Sequence, residues 1–214
     1  MFILLTLVTF LLFITVSYLW KEHYTQPRLV AAREKPEVVR ELGFDVPRDY
    51  AFHPGHTWAL DEGNEVARVG LDAFAANLFG TIDRIEVQPL NRWVRQGQKL
   101  WTVTSGGVIS EMVSPVEGVV TSVNQKVMKN PGLAADDPYG DGWVCTVKAP
   151  ELAVNKRNLL QGNWVAPWMK NSITRLAALS PSVASADGGM PVKGVLGQLD
   201  PEMQRTVIRE FLLG

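Results

Sequence analysis

Residues 99–123 read KLWTVTSGGVISEMVSPVEGVVTSV. Two runs rich in β-branched side chains, Lys99 to Val103 and Val108 to Val113, flank the pair Gly106-Gly107. Adjacent glycines accept the positive φ that a two-residue hairpin turn demands, so the stretch predicts two antiparallel strands closed by a tight turn. Ser114-Pro115 ends the second run, and Gly118 to Val123 starts a third. The same texture continues outward. Short apolar or alternating runs occur at Trp58 to Leu60, Glu65 to Leu71, Ile82 to Val87 and Trp143 to Val147. Turn clusters separate them at 61–64 (DEGN), Gln88-Pro89, Gln96-Gly97 and 136–142 (DDPYGDG). Many short strands punctuated by Gly, Pro and Asx, from about Tyr50 to Lys148, predict a mainly β sandwich or barrel within a domain that runs over 49–179 with its C-terminal helices. One helix interrupts it, Asp72 to Phe79, with Asp72 as N-cap and Gly80 as stop.

The flanks differ from this centre. Residues 151–160 and 164–179 have helical spacing, with Pro167 tolerable only near a helix start. Residues 180–196 are rich in Ser, Pro, Gly and Ala and read as a flexible linker. Over 197–214, Asp200-Pro201-Glu202 gives an N-cap, a first-turn proline and a first-turn acid. Leu199, Met203, Val207 and Phe211, with Ile208 and Leu212, then recur at helical spacing. This amphipathic helix either docks back on the domain or offers its apolar face to a partner. On the other side, 21–48 is charged and broken by Pro27, Pro36 and Pro47. It reads as a stalk, with a short helix over 34–42.

Residues 1–20, MFILLTLVTFLLFITVSYLW, hold no charged side chain. As a helix they would span about 30 Å, the thickness of a bilayer's hydrocarbon core. Tyr18 and Trp20 fall where an interfacial aromatic belt would lie, and Thr6, Thr9, Thr15 and Ser17 can bond back to the helix's own carbonyls. No basic residue precedes the run and Ser17-Tyr18-Leu19-Trp20 is too bulky for a cleavage site, so a retained single-pass transmembrane anchor is expected. Lys21, Arg28, Arg33, Lys35 and Arg40 follow it, which orients the bulk of the chain toward the cytoplasm at the inner membrane.

Composition narrows function further. Of 214 residues, Lys and Arg number 21 and Asp and Glu 22, a net charge of -1, so no overall basic field draws the chain to nucleic acid. The lone Cys145 can form neither an internal disulfide nor a cysteine-rich zinc site, and its place in a strand predicts a small buried hydrophobe. His53 and His56 lack further ligands for a metal. Asp136, Asp137 and Asp141 lack the alternation and terminal glutamate of a calcium loop. Ser105-Gly106-Gly107 is neither a nucleophile elbow nor a phosphate loop. No catalytic residue, cofactor, metal or small-molecule substrate is expected, and the chain is not expected to be an enzyme. Trp58, Trp93, Trp101 and Trp143 are expected in the core or at its rim. Trp164 and Trp168, four apart, are expected to pack on the sandwich or to form an exposed docking patch.

These residues resemble the H-protein of the glycine cleavage system. His56-Thr57-Trp58 is similar to that family's His-Glu-Trp, Val69-Gly70-Leu71-Asp72-Ala73-Phe74-Ala75 to its Val-Gly-Ile-Thr-Asp-Tyr-Ala, and Phe79-Gly80-Thr81-Ile82 to its Leu-Gly-Asp-Ile. Ser114-Pro115-Val116-Glu117-Gly118 is similar to Ser-Pro-Val-Ser-Gly, and Asp137-Pro138-Tyr139-Gly140-Asp141-Gly142-Trp143 to Asp-Pro-Tyr-Gly-Glu-Gly-Trp. The resemblance implies a lipoyl-type barrel-sandwich of antiparallel sheets with C-terminal helices. In that family a lysine at a hairpin tip carries a lipoyl arm that shuttles intermediates among partner enzymes. Aligned from Ser114-Pro115, the lysine's place is taken by Gly107, and no lysine lies between Lys99 and Lys126. Thr57 also replaces the family's glutamate.

The expectation is therefore a membrane-tethered, non-lipoylated H-protein-like module that works by protein contacts, as an accessory or scaffold subunit of a membrane complex. Two alternatives stand beside it. One is a true lipoyl carrier using Lys99 or Lys126. The other is a periplasmic membrane-fusion-type adaptor, which would insert a long helical hairpin at the tip and face the opposite side of the membrane.

Overall fold

The structure, a computed structural model, describes residues 10–17, 38–41, 43–179 and 192–213. The chain divides into two units, Met1–Lys35 and Pro36–Gly214. In the first, residues 10–17 form helix α1, where the Thr15 hydroxyl donates to the carbonyls of Leu11 and Leu12 at 3.0 and 2.9 Å. Among the described residues no helix is long and apolar enough to cross a membrane. The rest of the expected anchor, and the stalk up to 37, lie outside the described residues.

The second unit is antiparallel β throughout its centre. Strands β3 (Ala51–His53), β4 (Thr57–Asp61), β5 (Val66–Leu71), β7 (Trp93–Val94), β10 (Gly118–Val123) and β11 (Cys145–Lys148) form one sheet in the order β3-β4-β5-β11-β10-β7. Strands β6 (Arg84–Val87), β8 (Lys99–Ser105) and β9 (Val108–Val113) form a second, with β8 central. Period-two patterning decides the inner faces. On β8, Trp101, Val103 and Ser105 are buried while Thr102 and Thr104 are half-buried. On β9 the partners Ser110 and Met112 are buried while Ile109 and Glu111 face out. Bulges between Lys99 and Trp101 and between Val120 and Ser122 shift the register locally and bend the strands. Trp58, Trp101, Phe52, Phe74 and Phe79 fill the core.

Helix α2 (Ala73–Phe79) begins and ends as its sequence dictates. Asp72 Oδ1 accepts from Ala75 N at 2.9 Å, and Gly80, at φ +69°, returns its N–H to Ala76 O. Short helices α3 (Gln125–Lys129) and α4 (Leu133–Asp136) precede β11; α5 (Leu152–Arg157) and α6 (Val165–Leu179) follow it, with Pro167 in the first turn of α6 where its missing N–H costs nothing.

Three expectations are corrected. Residues 38–47 are not stalk, and the helix over 34–42 does not form where described: Val38–Glu41 (β1) and Phe44–Pro47 (β2) make an antiparallel hairpin. Gly43 at φ +88° supplies the turn, and Phe44 and Val46 are buried in the core. The 180–196 linker also ends early. Its residues 180–191 lie outside the described residues, but Val195 and Leu196 are buried in a 3-10 turn against α2. A Cβ at Gly80 would come within 2.5 Å of Gly194 Cα, and Gly194 N donates to Asn77 O, so the two backbones meet directly. Finally, Trp164 and Trp168 do not share one role. Trp168 packs inward, whereas Trp164 is 76% exposed.

The C-terminal helix α7 (Pro201–Val207) continues as a π turn over Ile208–Leu212 and docks on the domain. Asp200 caps it, accepting from Glu202 N and Met203 N, and these bonds hold its carboxyl below the usual carboxylate range. Val207, Phe211 and Leu212 are buried, which resolves the choice between docking and free display in favour of docking.

Candidate functional site: a lysine-free hairpin tip

Ser105 pairs with Val108, which leaves Gly106 and Gly107 as the whole β8–β9 turn. Their φ values, +54° and +82°, are both left-handed, the geometry of a primed two-residue turn. A Cβ built on either glycine meets nothing within 4 Å, so any side chain there would enter solvent. The tip is nevertheless fixed from below. Gly106 N donates to Asp83 Oδ2 at 2.8 Å, Asp83 N donates to Thr104 O, and the buried Ser105 hydroxyl donates to Phe79 O at 2.9 Å. The residue just before β6 and the end of α2 thus clamp a turn that carries no side chain. Sequence reading placed the turn at Gly106-Gly107 but missed the clamp; Asp83 and Ser105 lie in ordinary loop and strand context, with no spacing that marks them as partners.

The nearest lysines in sequence are elsewhere. Lys99 sits at the opposite end of β8, about 20 Å down the strand at 3.3 Å per residue, and pairs with Glu111 at 2.6 Å. Lys126 belongs to α3 and its ammonium group contacts both carboxylate oxygens of Asp141 at 3.0 and 3.1 Å. Neither is presented on a turn.

The two described histidines, His53 and His56, are structural. His56 is fully buried at φ +56°, with Nδ1 at 2.7 Å from Asp72 Oδ2. Its ring is stacked between Phe74, 4.1 Å between centroids, and Trp168, at 4.6 Å. Phe211 from the C-terminal turn packs beside them, 5.3 Å from Phe74. Asp72 therefore serves both the start of α2 and the imidazole. His56 Nε2 and the neighbouring Thr57 hydroxyl are buried without hydrogen-bond partners. His53 Nδ1 accepts from Gly55 N at 3.0 Å, and burial, with His56 nearby, pushes its pKa down to about 4. Both histidines are thus engaged, and among the described residues no group of three or more His, Cys, Asp or Glu is placed to hold a metal ion. The 136–141 loop is occupied with its own bonds: Asp137 Oδ2 accepts from Asp141 N, while Lys193 and Lys126 pair with Asp136 and Asp141. Cys145 is fully buried and burial pushes its thiol pKa up, so it stays a neutral hydrophobe.

Two antiparallel sheets closed over an aromatic core, with an exposed glycine hairpin clamped at one end, make a lipoyl-domain-like scaffold. The sequence model of the glycine cleavage H-protein matches residues 50–172, and the chain belongs to that family. It is 34% identical over 110 residues to the probable glycine cleavage system H protein of Haloarcula marismortui, covering 51% of this chain and 86% of the relative. It is 38% identical over 116 residues to the glycine cleavage system H protein of Thermobifida fusca, covering 54% and 88%. A crystal structure of the H protein from Mycobacterium marinum superposes with a TM-score of 0.46 at 24% identity, over 49% of this chain and 87% of that one.

Proposed function

We propose that this family member is a membrane-tethered module without a lipoyl arm, working by protein contacts as an accessory or scaffold subunit rather than as an enzyme. The observation that carries the reading is the exposed Gly106–Gly107 turn, with its neighbours free of lysine from 100 to 125. A swinging arm needs a primary amine on an accessible turn, and glycine supplies none. The charge-free run of residues 1–20, followed by five basic residues up to Arg40, supports a single-pass tether with the domain on the cytoplasmic side. Tethering confines the domain to two dimensions and raises its effective concentration near a membrane partner.

The carrier reading, with an arm on Lys99 or Lys126, is disfavoured by the ion pairs those side chains make and by their distance from the tip. The adaptor reading is disfavoured by a turn of only two residues where a long helical hairpin would be inserted. Peptide mapping of the full chain from lipoate-fed cells tests the proposal. Unmodified Lys99 and Lys126 are expected; a dithiolane adduct on either overturns it in favour of the carrier. A reporter fused after Gly214 tests the orientation, with cytoplasmic activity expected and periplasmic activity pointing to the adaptor.

A further inference from the structure

Between Glu151 and Asp187 the chain carries no carboxylate, yet Lys156, Arg157, Lys170 and Arg175 all fall there. Its described residues, 152–179, form the α5–α6 corner. Two acids reach in from other elements: Asp61 pairs with Lys156 at 3.6 Å, and Glu210 with Arg175. Arg157 and Lys170 are exposed and, among the described residues, make no ion pair. Trp164, seven residues after Arg157 and six before Lys170, is 76% exposed on the Gly162–Trp164 turn, although its neighbour Val165 is buried. Gln161 Nε2 donates to Lys156 O at 2.6 Å, which ties this turn to the end of α5. Pro167 and Lys170, in the first two turns of α6, are exposed as well.

An exposed indole, flanked along the chain by two exposed cations, is poorly placed for a free-standing surface. Tryptophan favours the headgroup layer of a bilayer, where its apolar body and polar N–H are both accommodated. Arginine and lysine beside it favour anionic phosphates. We infer that the α5–α6 corner is a membrane-contact face, in which Trp164 enters the headgroup layer while Arg157 and Lys170 engage anionic lipid. This rests on the reading of residues 1–20 as a tether, because a tethered domain meets lipid at high effective concentration and a weak contact then suffices. Docking by this corner would fix which surfaces of the domain a partner can reach.

The test uses the full chain in vesicles. The Asn163→Cys variant takes an environment-sensitive fluorophore at the turn, because the native Cys145 is buried. Vesicles of phosphatidylcholine alone are compared with vesicles that also contain phosphatidylglycerol. The expected result is a blue-shifted, quencher-protected label only on the anionic vesicles, reversed by high salt and lost in Trp164→Ala. Arg157→Glu and Lys170→Glu each lower the ratio of docked to undocked domain about fivefold or more. Flotation on phosphatidylcholine reports the tether separately. A chain that floats with an unchanged label on both lipids overturns the contact face and leaves the tether standing. A chain that fails to float on phosphatidylcholine overturns the tether, while its label on anionic vesicles still decides the contact. A label that responds to polyglutamate but to neither lipid overturns the inference in favour of an acidic protein partner.

Discussion

The hairpin tip at 105–108 and the aromatic cluster around His56 are opposite cases of what this chain does with one scaffold. At the tip the frame carries no side chain: two left-handed glycines, clamped by Asp83 and Ser105, point at solvent. At the cluster something is added. The C-terminal segment lays Phe211 beside His56 and Phe74, and brings Leu212 O so close that a Cβ on Gly55 would sit 2.8 Å from it. The tip's conformation is set by two left-handed glycines and by hydrogen bonds to Asp83 and Phe79, 23 and 26 positions away. The cluster's is long-range, set by contacts between residues more than a hundred positions apart. Perturbing the first should cost little stability, and perturbing the second a great deal.

Phe211→Ala is the sharpest way to break this contrast. It removes a buried ring from under the C-terminal turn, and the Arg175 guanidinium lies 5.3 Å over the same ring. A loss of about 3–5 kcal/mol in urea unfolding is expected. Asp72→Ala should follow at about 2–3 kcal/mol, since it removes the α2 cap and leaves His56 Nδ1 buried without a partner. Asp72→Asn, which keeps an acceptor for Ala75 N, should cost less than Asp72→Ala by the same measurement.

His53 brings pH into the cluster's rim. Its folded-state value of about 4 lies below the 6.5 of an unperturbed histidine, so the unfolded chain binds more protons between those limits. The associated stability is complete above the upper value and is lost as pH falls toward the lower one. Allowing for its partial exposure, wild-type protein should lose about 2 kcal/mol more over that window than His53→Asn, whose side chain can still accept from Gly55 N. Equal losses in the two proteins would remove His53 from the account. Gly107→Lys should be the mildest change. It puts an L-residue at φ +82° in open solvent and should cost about 1 kcal/mol by thermal unfolding.

Legibility in the sequence follows the same division. Strands β4, β5, β8, β9 and β10, the α2 caps and the glycine turn were readable because alternation, capping and turn chemistry are written in neighbouring residues. The β1–β2 hairpin was not, because Glu41 and Leu42 have helical preference and only the core contacts of Phe44 and Val46 fix the strands. Val195 and Leu196 were hidden in a small-residue stretch whose order depends on the close approach of Gly80 and Gly194. His56 could be singled out, but its stacking on Trp168 joins elements that no local pattern connects. Trp164 and Trp168 share one helical spacing and differ only because the turn before α6 rotates Trp164 out of the packing.

The account turns on an absent amine, and one paired measurement addresses it: intact mass of the wild-type chain and of Gly107→Lys, each co-expressed with a lipoate ligase. Wild type should keep its unmodified mass while Gly107→Lys gains one lipoyl group. A lipoyl gain in wild type, or none in the variant, would contradict a carrier scaffold that lacks only its handle.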